Sequence, residues 1–282
     1  MTLIAILLVL LVEYLMGPLE DLRRWNWFRV YTARMQRHLG RFELWQGPVG
    51  VLVVLALPLV LIALVLEAVG DRSLLLGFLL GLLILLYALG PQDLGRQLRE
   101  YLAALESGDQ AAASRMAYAL LEDSGLTPGE QNGRDVAGAV MVLACERLFG
   151  AFFWFTVLGP TGALLYRMGA ELERCAGADG GFAGAARDLH RILQWPAARL
   201  LALGYALAGS MTHALAVPGW REWTNLDASH PLLRDSGLAA LRPEAGETDE
   251  RELVAQAWEL VKRALLLWLT LLALLTLAGW VG

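Results

Sequence analysis

Glu146 and Arg147 stand side by side inside an apolar run from Val136 to Gly169, and Tyr166-Arg167 lies near its end. An ionised side chain at the centre of a bilayer costs at least ~2.5–3.5 kcal/mol on insertion scales, so it faces a bundle interior, a partner or a wet cavity. Adjacent residues on a helix do not face each other, so Glu146 and Arg147 predict two different partners. Between them and Tyr166, Gly159-Pro160-Thr161-Gly162 predicts a break that frees backbone groups needing protein or water. With Arg199, these residues (Glu146, Arg147, Tyr166, Arg167) form the candidate ligand-binding set. The chemistry they suit is an amphipathic ligand held at membrane depth, arginine facing its anionic part. Two plainer readings stand beside it: helix-end residues that snorkel to the interface, and a structural polar lock between helices. No catalytic residue is assigned.

The elements that must position these residues follow from composition. Apolar residues make up 57% of the 282 before the glycines are added, against ~45–50% with glycine included in soluble domains, which makes this a membrane protein. Lys262 is the only lysine, which removes lysine-dependent phosphate loops and Schiff-base chemistry elsewhere in the chain. A net charge of −5 gives no basic field, so nucleic acid is not an expected partner. Cys145 and Cys175 form no C-x-x-C pair and imply no disulfide framework. The histidines His38, His190, His213 and His230 are too scattered for a zinc site, and neither metal nor cofactor is expected.

A single membrane domain of all-α class is expected over 1–282. Residues 1–19 read as a retained first span rather than a signal peptide, since they lack a basic start and carry Glu13. Residues 20–46 interleave arginine with tryptophan, phenylalanine and tyrosine, predicting an interfacial amphipathic helix. Its Arg23, Arg24, Arg34 and Arg37 are the expected contacts to anionic membrane lipid on the cytoplasmic side. Residues 49–89 form a hairpin of spans with its tip outside, Pro58 kinking the first; Gly77 and Gly81 give the second a small-xxx-small packing face. Residues 91–135 predict a cytoplasmic αα-hairpin capped by Asp93 and Asp109 and broken at Ser107-Gly108, followed by a loop through 127–133. The broken-helix core covers 136–217, where 187–217 reads equally as a bent span, a re-entrant pair or an interfacial helix. Residues 218–263 look like a polar excursion, and 264–281 is the last span. Charge placement puts the C-terminus outside and favours six spans, with four next.

No P-loop, dinucleotide fingerprint, nucleophile elbow or zincin motif occurs. Three stretches carry a resemblance: MTLIAILLVLLVE at the start, ERLFGAFFWFTVLGPTGALLYR, and LHRILQWPAARLLALGYALAG. Together they resemble the AmpE family, bacterial inner-membrane proteins associated with regulation of chromosomal β-lactamase induction. That family is in turn similar to CobD/CbiB, membrane enzymes that join an aminopropanol group to cobyric acid. The signatures shared with the enzymes are Gly159-Pro160-x-Gly162-Ala163-x-x-Tyr166-Arg167 and Trp195-Pro196-Ala197-x-Arg199-Leu200. Where the enzymes carry E-N-x-x-D-G this chain has Glu146-Arg147-Leu148-Phe149-Gly150, and where they carry Asn-Thr-Leu-Asp it has Ala170-Glu171-Leu172-Glu173. The resemblance implies a multi-pass inner-membrane signalling modulator linked to peptidoglycan recycling, with an amphipathic or cell-wall-derived ligand. The alternative it implies is an ATP-dependent amide-forming ligase of the CobD/CbiB type, or a descendant of one.

Overall fold

The computed structural model describes residues 2–16, 25–89, 93–126, 133–177, 180–241 and 249–279. The described residues are helical with no strand, an all-α membrane fold. They divide into two compact units, Met1–Pro91 with Gly150–Gln194 and Ala278–Gly282, and Gln92–Phe149 with Trp195–Leu277.

The first unit holds α1 (Thr2–Met16), α2 (Asn26–Leu39), α3 (Pro48–Gly70), α4 (Leu74–Ala88), α8 (Gly150–Cys175) and the first half of α9 (Gly181–Ala208). Helix α3 is long and apolar enough to span a bilayer; α1 and α4 are equally apolar but shorter. Only 28% of the apolar window of α3 is buried, so most of it is left for lipid. Pro58 lies inside the helix and is buried. The small face of α4 is used as its spacing predicts: a Cβ at Gly81 would come 3.1 Å from the Pro160 ring, and one at Gly77 3.2 Å from Gly70. Trp25, Phe28, Trp45, Val54, Leu164 and Met168 are among the residues of this unit's core, which packs α2 with α3 and α8.

Helix α8 is two arms. Gly159 has φ 69° and ψ −158°, a left-handed backbone that only glycine adopts readily, and Pro160 withholds the next N–H. In a straight helix Gly150 and Tyr166 would lie about 24 Å apart, yet a Cβ on Gly150 would overlap the Tyr166 ring. The chain therefore doubles back, 150–158 beside 160–175, and the helical run from Gly133 to Cys175 is not one long span. The Thr161 hydroxyl donates to the Leu158 carbonyl at 3.0 Å, satisfying an acceptor freed by the break.

The second unit holds α5 (Leu94–Ser107), α6 (Gln110–Asp123), α7 (Gly133–Ala144), a π-helical turn (Cys145–Phe149), the rest of α9, α10 (Met211–Leu215), α11 (Ser229–Leu241) and α12 (Glu250–Leu277). Asp93 and Asp109 cap α5 and α6 as their positions predict, each accepting from a backbone N–H at 2.9 Å, and Gly108 closes α5 in the left-handed region. Helix α7 is apolar all round and buried throughout the residues from Val136 to Ala144, with α11, α12 and α6 against it. Helix α12 spans by length and composition and leaves most of its apolar window exposed.

One expectation changes. The supposed polar excursion contains helix α11, whose Leu232, Leu233, Leu238 and Ala240 are buried; flanking acids and prolines disguised it, but Pro231 falls in its first turn, where proline is tolerated. Residues 187–208 run as one continuous helix through Pro196, and α9 is not among the helices long and apolar enough to cross a membrane. The 127–132 part of the predicted loop lies outside the described residues.

Candidate functional site

Each unit builds its own buried polar cluster. In the second, the π turn Cys145–Phe149 inserts an extra residue into the helix, and Glu146 and Arg147 within it point at separate partners. Arg147, with its side chain 4% exposed, donates Nη2 to Asp123 Oδ2 at 2.6 Å and Nη1 to Gln97 Oε1 at 2.8 Å. Glu146 Oε1 lies 3.0 Å from Nε2 of His230 on α11. The π turn, the αα-hairpin and α11 thus converge on the adjacent charges, which pair apart as their spacing predicts. Asp123 is 38% exposed, so the pair with Arg147 reaches from the interior to the surface.

Arg199, also in the second unit, is handled differently. It is 2% exposed and donates to neutral acceptors: the carbonyls of Asn225 (2.9 Å), Trp223 (3.2 Å) and Trp195 (3.4 Å), and the Ser229 hydroxyl (3.2 Å). Its guanidinium also lies 4.5 Å from the centre of the Trp195 ring and 5.7 Å from that of Trp223. Carbonyls and indole faces stabilise a cation without a carboxylate. Arg199 thereby ties the 218–228 segment to α9.

In the first unit Tyr166 and Arg167 follow the hairpin tip and are both buried. Arg167 pairs with Glu171 one turn on, and Glu171 also meets Arg174 at 3.5 Å. Tyr166 packs against His190 of α9 with ring centres 5.8 Å apart, and His190 Nδ1 is bonded to Glu173. Trp154 in the first arm donates its indole N–H to the Leu193 carbonyl of α9 at 2.8 Å. The five candidates therefore divide, Glu146, Arg147 and Arg199 in one cluster set and Tyr166 and Arg167 in the other. No group of three or more histidine, cysteine, aspartate or glutamate side chains gathers among the described residues.

The sequence reading missed Asp123, Gln97 and His230, which complete the charges on the π turn, and Glu171, Glu173 and His190. The only signal for the last three was i,i+4 spacing between Arg167 and Glu171. Of the membrane-surface set, Arg34 and Arg37 are exposed on α2, while Arg23 and Arg24 lie outside the described residues.

Residues 1–281 match the model of a family described as "Regulatory signalling modulator protein AmpE". The chain is also similar to a protein named cobalamin biosynthesis protein CobD from Stutzerimonas stutzeri, 27% identical over 79% of each chain. A protein of the same name from Chromobacterium violaceum is 32% identical over 50% of this chain and 45% of its own. No solved structure matches.

Proposed function

The chain belongs to the AmpE family, and on that footing we propose that it is a multi-pass inner-membrane signalling modulator of β-lactamase induction that senses an amphipathic, cell-wall-derived ligand. The observation that carries the reading is Arg147, buried in a π turn and held by Asp123 and Gln97 rather than by the residue beside it. A charge buried in an apolar run is kept where it has work to do or where helices must be held in register. Asp123 is half-exposed and can yield its place on the guanidinium to the anionic group of a ligand. Such an exchange loosens α6 from the π turn, and its leverage is the difference in the ligand's affinity for the two arrangements. Glu146 with His230, Arg199, and Tyr166 with Arg167 are the further binding candidates within their own clusters.

A second reading rests on the Stutzerimonas relative, similar over most of both chains and named for cobalamin biosynthesis. In that case the arginines would hold anionic groups of substrates for an ATP-dependent amide-forming reaction. Arg147→Leu and Glu146→Leu, confirmed as assembled by thermal unfolding, should change β-lactamase induction; well-folded variants with unaltered induction sink the sensing role. Complementation of a cobinamide-synthase-deficient strain by the wild-type chain would replace the modulator with the enzyme.

A further inference from the structure

His190 is 6% exposed, on the part of α9 that faces Tyr166, and its Nδ1 is bonded to the carboxylate of Glu173 on α8. An ionised carboxylate only accepts hydrogen bonds, so Nδ1 carries a proton, and the neutral form of the ring then presents Nε2 as an acceptor. That Nε2 is enclosed and has no hydrogen-bond partner among the described residues. A buried polar atom left so costs about 1–3 kcal/mol, and native interiors seldom keep one. The ring is not free to turn away. Glu173 fixes one edge, and Tyr166 packs at 58° to its plane. Tyr166 is in turn wedged against Gly150, where even a methyl group would overlap it.

A carboxylate on one imidazole nitrogen fixes the tautomer and the orientation of the ring. We infer that Glu173 and His190 form a proton-accepting site in which Nε2 takes a hydrogen bond from a hydroxyl or amine of a membrane-borne ligand, Glu173 acting as the positioning residue. Arg167 and Arg174 both meet the neighbouring carboxylate, Glu171. A metal is a poor fit, because the pair offers two ligands and no third histidine, cysteine or carboxylate joins them among the described residues. The assignment depends neither on the modulator reading nor on the synthase reading.

The test is the reaction of the full chain with diethyl pyrocarbonate, which acylates an imidazole nitrogen that bears a lone pair, followed by peptide mass spectrometry. Exposed His38 and His213 serve as internal clocks. In protein exchanged thoroughly into dodecyl maltoside, His190 should react despite its burial. In isolated membranes, where the native ligand pool is present, it should react several-fold more slowly relative to the clocks. Glu173→Gln should slow the detergent reaction by about tenfold, the scale on which such supporting carboxylates act, and Glu173→Asp should recover most of the rate. Because Glu173→Gln could fail to assemble, the wild-type comparison stands alone. A His190 that is inert in detergent is sealed and structural, and one that reacts equally in both settings has no membrane-borne donor; either result overturns the assignment.

Discussion

Arg199→Lys keeps the charge of a buried cation and removes its shape, so it isolates the contribution of the guanidinium fork. Arg199 has four acceptors, three of them at 3.2 Å or closer, fanned across the carbonyls of Trp223 and Asn225 and the Ser229 hydroxyl. A lysine ammonium reaches one or two of these, and it loses the planar contact with the Trp195 ring at 4.5 Å. Hydrogen bonds to charged groups contribute about 1.5–3 kcal/mol each, so losing two, partly offset by rehydration, should cost about 3 kcal/mol. The loss should be felt first in the 218–228 segment, whose Trp220 and Trp223 stack 6.1 Å apart. Thermal unfolding in detergent reads the stability, and near-ultraviolet circular dichroism reads the tryptophan packing. A lysine variant with wild-type stability and an unchanged tryptophan signal would refute the carbonyl cage as the element that pins this segment.

Tyr101, 1% exposed on α5, donates to Glu250 Oε1 at 2.8 Å, and burial first, then that carboxylate, push its pKa far above the ordinary 10. A raised pKa gives stability that is complete below pH 10 and lost as the pH climbs beyond it; wild-type unfolding midpoints should fall above pH 10, and Tyr101→Phe should flatten that fall while lowering stability at pH 8 by about 1.5–3 kcal/mol. Gly150→Ala forces the Tyr166 ring to move and should cost about 1–3 kcal/mol by overpacking, measured as a lower unfolding temperature. For topology, a cysteine introduced at residue 71 should be labelled from outside intact cells and one at 115 should not; the reverse pattern inverts the expected orientation.

The parts of this fold visible in advance are those governed by local chemistry. Asp93 and Asp109 cap their helices because a short carboxylate before an amphipathic run has few other uses, and Gly108 takes the left-handed turn that ends α5. Gly159-Pro160 breaks the central helix for equally local reasons. The separate fates of Glu146 and Arg147 followed from the 100° turn between neighbouring helical residues. Their partners did not. Asp123 and Gln97 sit 24 and 50 positions from Arg147, in helices whose patterns announce only an amphipathic hairpin. Helix α11 was hidden because burial came from packing against α7 rather than from a long apolar run, and the pairing of Glu173 with His190 across 17 positions leaves no periodic trace. Long-range pairing chooses partners after the helices exist, and single-sequence periodicity reports only the helices.

The meeting of Pro160 with Gly81 bears on how this chain can change over generations. The proline ring at the hairpin tip fills the notch that the glycine leaves in α4, at 3.1 Å from where a Cβ would stand. Enlarging position 81 alone pushes the proline ring back by a few tenths of an ångström, and shrinking position 160 alone leaves an apolar hollow. The two changes made together should cost less than their sum, as residues in direct contact do in double-mutant cycles. Positions 81 and 160 should consequently drift as a pair among related chains, a larger residue at one accompanying a smaller residue at the other, although 79 positions separate them.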